Sequence, residues 1–266
     1  MGHAVSSLGN ALQILNLLDR QNPVLRVGEV GRSLDLPKSS VSRLLKTMAE
    51  NGLLAREVNG MGYVAGPLAR KLGELSLTRR GLLDLVENAA ERLIQEFGFV
   101  CYIGMIADSQ LLIIRRRHGS HPALLMWDVG QRAPLLQSAG GWVLLSRLPE
   151  SEALDIVALH GGDGAPSPNR LSQKLARVRR EGGCFVTNAA TRGVATAATA
   201  VCDPSRNEFL AISLAYPIAD VDAEIRSRIS LRIREEAAEI GKQLGDDYWA
   251  EFHFANVDID HEIRDI

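Results

Sequence analysis

The chain has 266 residues, 46% of them hydrophobic, so it is long enough to bury the core of one large domain or of two ordinary ones. It contains no apolar run of about 18 residues and no signal-peptide pattern at its start, so we expect a cytoplasmic protein that does not enter a membrane. Cys101, Cys184 and Cys202 lie far apart and are odd in number, which disfavours a disulfide framework and a CxxC-type metal site. We expect three buried, reduced thiols.

The net charge of −2 is distributed unevenly along the chain. Residues 1–80 carry 11 Lys and Arg against 6 Asp and Glu, whereas the rest of the chain carries 19 against 26. A basic N-terminal part on an acidic body is typical of a protein that attracts a polyanion through one end only.

Two helices are predicted at the start of the chain. Apolar residues at helical spacing indicate a first helix from Leu8 to Arg20, with Ser7 as its N-cap. Asn22-Pro23 ends this helix, and a short second helix from Val27 ends near Asp35-Leu36.

A third, amphipathic helix follows almost at once. Pro37 suits the first turn of a helix, and Val41, Leu45 and Met48 recur at helical spacing on one face. Such close succession is typical of a helix-turn-helix, whose second helix enters a major groove of DNA. The polar face would contact phosphates and base edges, although an ordinary solvated helix face is the alternative. The candidate DNA-binding residues on this helix are Lys38, Ser39, Ser40, Ser42, Arg43 and Lys46.

A β-hairpin, or wing, is predicted after this helix. Its strands are Leu53–Val58 and Tyr63–Ala65, joined by a turn that contains Asn59-Gly60. Arg56 and Tyr63 are candidates to touch the adjacent phosphates or the minor groove, and the alternative is that both are wing residues without a base contact.

The chain resembles the IclR family of transcription regulators. The first residues that carry the likeness are Ser7-Leu8, Ala11-Leu12 and Ile14-Leu15, followed by the stretch LPKSSVSRLL over residues 36–45, then Gly52 and Arg56. The family pattern is LPKSTVHRLL, and this chain differs from it at Ser40 and Ser42. The DNA sequence that this helix would recognise is therefore left open. A second block runs from Val129-Gly130 through Pro134-Leu135 to Gly141 and Leu144-Leu145, and it resembles the opening of the family's effector domain.

The remaining elements predict an α+β domain around an antiparallel sheet. They are helices over Leu82–Phe97 and Asp222–Leu244 and strands over Val100–Ile106, Leu111–Arg115, Thr196–Cys202 and Phe209–Tyr216. The resemblance implies a GAF-like fold for this domain. The expected organisation is a winged helix-turn-helix DNA-binding domain over 1–66, a linker helix over 67–80, a GAF-like α/β effector-binding domain over 81–247 and an acidic C-terminal tail over 248–266.

The resemblance also implies a small-molecule pocket in the large domain. Gly130 and Pro134 precede a helix that begins near Ser138-Ala139-Gly140, whose free N–H groups suit a carboxylate. The alternative is a simple helix start that Ser138 caps. Ser213 is a second polar candidate that faces the pocket, and plain packing is its alternative.

Departures from the family pattern suggest which effector this pocket accepts. Where the family tends to have acidic residues the chain has Gly183 to Ala189, which includes Val186 and Asn188. The family's pocket cysteine aligns with Thr196, and the second of its paired serines aligns with Ala215. A less polar pocket favours a larger, less polar effector than a small keto acid, and an aromatic acid is our leading expectation. Four further residues are candidates for either the pocket or the core: Tyr102, Met105, Trp127 and Trp142.

These features predict a ligand-responsive transcriptional repressor or activator of a catabolic operon rather than an enzyme. The expected partners are a pseudo-palindromic double-stranded operator and a small organic acid, bound by a homodimer or a dimer of dimers. We expect no cofactor, because the chain lacks a nucleophile elbow, a phosphate loop and a His-Glu-x-x-His motif. We also expect no metal, since His118 and His121 are a weak pair even with His160 or Cys101 as third ligand. A DNA-tethered enzyme or nucleotide-sensing domain is the alternative.

Overall fold

The computed structural model describes residues 7–18, 22–57, 60–77, 81–121, 127–160, 165–189 and 191–254. The chain divides into two units, residues 1–79 and 80–266. Within the described ranges, no helix is both long enough and apolar enough to cross a membrane.

The first unit begins with three helices. They are α1 (Ser7–Leu15), α2 (Val27–Ser33) and α3 (Lys38–Glu50). The predicted end of the first helix at Arg20 is wrong, because the helix stops at Leu15 and is followed by a turn at Asn16 and Leu17. Arg20 itself lies outside the described residues. The α2 to α3 turn is tight, since the Leu36 N–H donates to Gly31 O at 3.0 Å and Asp35 adopts a positive φ of 51°.

A two-stranded hairpin and a fourth helix complete the first unit. Strand β1 (Leu54–Arg56) pairs antiparallel with β2 (Tyr63–Ala65) and is shorter than predicted, while Val58 and Asn59 of the predicted wing lie outside the described residues. Gly52 lies between α3 and β1 with φ +74°, a backbone conformation that favours glycine. Helix α4 (Pro67–Leu77) covers most of the predicted linker and belongs to this first unit, where the Leu68 N–H donates to Gly52 O.

One apolar core orients α3. Val41, Leu45 and Met48 on its inner face are buried against the other helices and the hairpin. Burial of each large aliphatic side chain stabilises the fold by about 1.5–3 kcal/mol, so α3 has one strongly preferred rotation about its axis. The buried residues of this core are Ile14, Leu25, Val30, Val41, Leu45, Met48, Leu54 and Tyr63.

A six-stranded antiparallel sheet forms the centre of the second unit. Its strands are β3 (Val100–Ala107), β4 (Gln110–Arg117), β5 (Arg132–Ala133), β6 (Cys184–Thr187), β7 (Val194–Asp203) and β8 (Glu208–Pro217), in the order β5-β4-β3-β8-β7-β6. The predicted antiparallel sheet is confirmed, and β5 and β6 are additions to it.

Helices cover both faces of this sheet. They are α5 (Leu82–Phe97), α6 (Ala139–Arg147), α7 (Glu150–His160), α8 (Pro168–Glu181), α9 (Ala223–Leu244) and α10 (Asp247–Ala250). Alternation along β8 shows the layering: Leu210, Ile212 and Leu214 pack with α5, α9 and α10, whereas Ala211 and Ala215 pack with α6, α7 and α8. The second unit is therefore a three-layer α/β/α arrangement, and the predicted α+β class holds.

The C-terminal boundary of this domain lies beyond the predicted residue 247. Trp249 is 3% exposed, and its indole N–H donates to Ala200 O at 2.9 Å. The Tyr248 hydroxyl donates to Arg179 O at 2.6 Å, and Phe252 packs against the same core. The first part of the predicted tail is thus a docked aromatic segment, and residues 255–266 lie outside the described residues.

Candidate DNA-binding helix and effector pocket

Helix α3 presents a cationic, hydroxyl-rich face opposite its buried one. Lys38, Ser39, Ser42, Arg43 and Lys46 are exposed, and Ser40 is half-buried. The separation of the two faces follows from sequence spacing, since the buried residues recur every three to four positions and leave the intervening ones outside. The structure therefore brings together five of the six candidates predicted on this helix as an exposed set.

Lys46 is the one cation of this set with an ion pair described within its own helix. Its Nζ lies 3.7 Å from Glu50 Oε1, and both side chains are more than half exposed. Such solvated pairs contribute about 0–1 kcal/mol, so Lys46 can exchange the carboxylate for a phosphate at little cost.

The wing places its two predicted contact residues differently. Arg56 is exposed, and its guanidinium lies 5.7 Å from the centroid of the Tyr63 ring. Tyr63 itself is only 6% exposed and belongs to the core, while its backbone exchanges two hydrogen bonds with Leu25. The expectation that Tyr63 reaches DNA is therefore corrected, because its side chain is buried in the core of the first unit.

The second unit contains a pocket between the sheet and the start of α6. Its cavity volume is about 40 Å³, and the space between all of its lining atoms, including space open to solvent, is about 470 Å³. Its floor is formed by β3, β4, β7 and β8, and one wall is formed by the residues that lead into α6. The lining residues are Tyr102, Leu111, Ile113, Trp127, Gln137, Ser138, Ala139, Gly140, Val186, Ala189, Thr191, Val194, Thr196 and Ser213.

The start of α6 has a defined cap. Ser138 is the N-cap, and its Oγ accepts a hydrogen bond from the Gly141 N–H at 3.1 Å. The Trp142 N–H donates to Ser138 O, which leaves the Ala139 and Gly140 N–H groups at the pocket end of the helix. Those two groups and the helix dipole favour a negatively charged ligand atom. Ser138 therefore caps the helix and also lines the pocket, and the binding of a carboxylate at this helix start stays a prediction.

Gly140 allows α6 to approach the sheet closely. A Cβ at this position would lie 3.1 Å from both Ser213 Oγ and a Leu111 methyl carbon. Ser213, 7% exposed, therefore lies close to the helix start, and it lines the pocket, where the sequence predicted it, opposite Tyr102 on the neighbouring strand. No charged side chain is among the described residues that line the pocket, so its polar groups are hydroxyls, an amide side chain and backbone N–H groups.

Four predicted effector residues do not line this pocket, for identifiable reasons. Gly130 lies in a turn with φ +92°, and its N–H donates to Ile113 O. Pro134 instead borders a neighbouring cavity with Asp108 and Ile156. Asn188 forms a turn, with φ 52° and its Oδ1 accepting from the Gly193 N–H at 2.7 Å.

Ala215 is the fourth residue, and it is buried in the core on the α6 side of the sheet. Ala215 lies directly opposite Thr196, which does line the pocket. The predicted residue is therefore on the sheet face that forms the pocket but is not part of the lining. Ser138, Ala139, Gly140, Val186, Thr196 and Ser213 are brought together as predicted.

The aromatic and methionine candidates separate into pocket and core. Tyr102 and Trp127 line the pocket. Trp142 is 4% exposed and donates its indole N–H to Leu136 O, whereas Met105 borders a different cavity beside Leu144. Sequence reasoning missed Leu111, Ile113 and Val194, although their alternation along β4 and β7 with Thr196 places them on one face.

The cysteines have the character of core residues. All three are free and buried, and burial raises the pKa of the Cys101 thiol to about 12 and that of Cys202 to about 11. Within the part of the chain that the structure describes, no three His, Cys, Asp or Glu side chains are grouped to hold a metal ion.

Comparisons with known proteins find matches for both units of the chain. The profile of the IclR helix-turn-helix domain matches residues 7–57, and that of the bacterial transcriptional regulator IclR C-terminal domain matches residues 75–242. The transcriptional repressor IclR of Escherichia coli is 27% identical over 249 residues, which cover 91% of this chain and 90% of that protein. The E. coli regulator XynR is 24% identical over 252 residues, covering 91% and 98%.

Solved structures show the same fold. A putative IclR transcriptional regulator from Silicibacter sp. TM1040 superposes with a TM-score of 0.77 at 18% identity, covering 90% of this chain and 96% of the other. An IclR homologue from Microbacterium hydrocarbonoxydans, complexed with 4-hydroxybenzoate, has a TM-score of 0.71 at 21% identity and covers 91% and 100%.

Proposed function

The chain belongs to the IclR family of transcriptional regulators, and from this premise we propose that it controls a catabolic operon in response to a small aromatic acid. The pocket carries this proposal, because it combines two free helix N–H groups with a lining that holds no charged side chain among the described residues.

On the DNA side, the proposed contacts are the exposed cations and hydroxyls of α3 together with Arg56. We propose that the protein acts as a homodimer or a dimer of dimers, so that two copies of α3 enter successive major grooves about 34 Å apart on a pseudo-palindromic operator. Arg43 is the central contact, since guanidinium groups form bidentate hydrogen bonds with guanine.

On the effector side, the carboxylate would accept hydrogen bonds from the Ala139 and Gly140 N–H groups, where the dipole of α6 favours negative charge. The rest of the ligand would pack against Ile113, Val186 and Val194. Such a lining favours a ring over the small polar body of a keto acid. The 4-hydroxybenzoate complex of the Microbacterium relative is consistent with this class of ligand.

Calorimetric titration of the full chain tests the effector class. Benzoate and 4-hydroxybenzoate should bind, and glyoxylate and pyruvate should bind more weakly or not at all. Gly140→Ala should weaken benzoate binding by about 10-fold, because the added methyl group would occupy pocket space beside Ser213. Gly28→Ala is the matched control, since a Cβ there meets nothing within 4 Å and Gly28 lies on α2 in the first unit. Tight glyoxylate or pyruvate binding without benzoate binding would contradict the proposal.

The alternative of an enzyme or nucleotide sensor tethered to DNA gains no support from the family profiles, since both of them describe transcriptional regulators. No observation in the described residues favours it.

A further inference from the structure

Trp127 is the largest side chain that lines the effector pocket. It is half-buried and packs against the apolar cluster on the α6 side of the sheet. Unlike most of the lining, it lies outside the regular helices and strands, just before the Asp128–Gln131 turn that leads into β5. The position of Trp127 is therefore set by contacts with neighbouring residues rather than by the hydrogen bonds of a helix or strand of its own.

An ion pair on the adjacent strand provides one such contact. Arg116 Nη1 donates to the backbone oxygen of Trp127 at 3.1 Å and to Asp128 Oδ1 at 2.5 Å. The Arg116 side chain is 14% exposed and that of Asp128 is 37% exposed. A partly buried, charge-assisted contact of this kind is stronger than a fully solvated pair.

The turn that follows Trp127 is also fastened to β4. The Gly130 N–H donates to Ile113 O at 2.8 Å, and the Ile113 N–H donates to Gln131 O at 2.9 Å. Gln131 Oε1 accepts from the Asp128 N–H at 2.8 Å, which closes the turn on itself. Residues 128–131 are therefore held by backbone hydrogen bonds to β4 and by the Gln131 side chain, and the Arg116 side chain adds a hydrogen bond to the backbone of Trp127.

The register of the sheet places Arg116 on the pocket side. It lies directly opposite Tyr102, which lines the pocket, and opposed residues of antiparallel strands project from the same face. Tyr102 in turn lies opposite Ser213. Arg116, Tyr102 and Ser213 therefore lie in one row across three strands. Tyr102 and Ser213 line the pocket, and Arg116 holds a third lining residue, Trp127.

We propose that Trp127 sets the upper size of the effector and that the Arg116–Asp128 ion pair is the positioning device that holds it there. The inference rests on the proposed function, since it concerns the acid that binds the same pocket. The indole packs against the ring of a single-ring aromatic acid and occupies the space that a second fused ring would need. Arg116 acts through Trp127 and does not itself contact the effector.

The test compares benzoate with 2-naphthoate, which adds one fused ring to the same carboxylate. Calorimetric titration of the full chain gives the ratio of the two dissociation constants for wild type, Trp127→Ala, Trp127→Phe and Arg116→Met. Arg132→Met is the matched control, because it breaks the Arg132–Asp108 pair at 3.0 Å, whose members do not line the pocket. Thermal melting of each variant establishes that it is folded, and Trp127→Phe keeps a ring should Trp127→Ala fail to fold.

Wild type should prefer benzoate, and Trp127→Ala and Arg116→Met should each shift the ratio toward 2-naphthoate by about 10-fold or more. Trp127→Phe should shift it less, and Arg132→Met should keep the wild-type ratio. A wild-type ratio in a folded Trp127 variant would overturn the size limit, and a wild-type ratio in Arg116→Met would overturn the positioning role. If no variant binds either acid, the effector class in the proposed function is wrong and this proposal falls with it.

Discussion

Asp246 is a buried carboxylate near the end of the domain that accepts two hydrogen bonds. Its Oδ1 accepts from Arg147 Nη2 at 2.6 Å and its Oδ2 accepts from the Cys202 N–H at 3.1 Å. The side chains of Arg147 and Asp246 are 8% and 4% exposed, and the Arg147 guanidinium lies 3.9 Å from the Tyr248 ring centroid. This buried pair connects the end of α6 to the segment between α9 and α10.

Asp246→Ala should lower the free energy of unfolding by about 3–5 kcal/mol, because it leaves the Arg147 charge buried without its carboxylate. Urea denaturation followed by circular dichroism measures the change. Asp108→Asn is the control, since it removes the charge of a carboxylate that is 78% exposed in the Arg132 pair, while asparagine tolerates the positive φ of 49° at this position, so it should cost about 1 kcal/mol or less. Equal losses in the two variants would show that the Asp246 pair is not a stabilising contact of the buried kind.

At the level of single residues, the sequence indicated side-chain chemistry better than side-chain direction. Lys38 and Arg43 are exposed as predicted because helical spacing decides their face. Tyr63 faces inward because the strand opposite and Leu25 decide its face, and neither pairing is visible in a run of three residues. Asn188 has a turn role that depends on the Gly193 N–H, which the sequence alone does not place.

At the level of elements, α5 and α9 pack together through charges at their exposed edge as well as through the core. Glu96 on α5 accepts hydrogen bonds from Arg228 and Arg232 on α9 at 2.8 to 3.0 Å. Burial by itself raises the pKa of Glu96, but the hydrogen bonds and charges of the two arginines outweigh it and lower the pKa below its ordinary value. The ionised form of Glu96 is therefore the one that stabilises the helix pair.

The contribution of Glu96 should depend on pH in a defined direction. Because the folded-state pKa is lowered, the stabilisation is present above the ordinary carboxyl pKa of about 4.3 and is lost as the pH falls through the folded-state value. Glu96→Gln should therefore be less stable than wild type by about 0.5–1 kcal/mol at pH 7, and the gap should close in acid. Urea denaturation at pH 7 and at lower pH measures it, with Glu91→Gln on the exposed side of α5 as control. A gap that widens in acid would contradict the account.

The sequence predicted long amphipathic elements well and short or fully buried ones poorly. Helices α5 and α9 have a clear apolar stripe, so their bounds agree with the prediction to within a residue. Strand β5 has two residues and no pattern to detect. Helix α6 has eight buried residues, and a helix that is buried all round shows no periodicity, so only its start was predicted.

At the level of the whole molecule, the uneven charge distribution coincides with the division into two units. The unit that contains α3 carries the excess of Lys and Arg, and the unit that contains the pocket carries the excess of Asp and Glu. An anionic partner as large as DNA is therefore attracted to the first unit, whereas the proposed acid would rely on the local N–H groups at the start of α6 in the second unit. This separation is what a regulator needs if its two ligands are to bind different sites.

The most direct test of the account is fluorescence anisotropy with labelled DNA from the intergenic region upstream of its own gene, using the full chain. Arg43→Ala should weaken binding by about 10-fold or more and leave the melting temperature unchanged, because Arg43 is exposed on α3. Arg180→Ala, an exposed cation of α8 in the other unit, should bind as wild type does. Benzoate should change the wild-type affinity by about 5- to 150-fold. Wild-type binding by Arg43→Ala, or an equal loss in Arg180→Ala, would contradict the assignment of α3 as the DNA-reading helix.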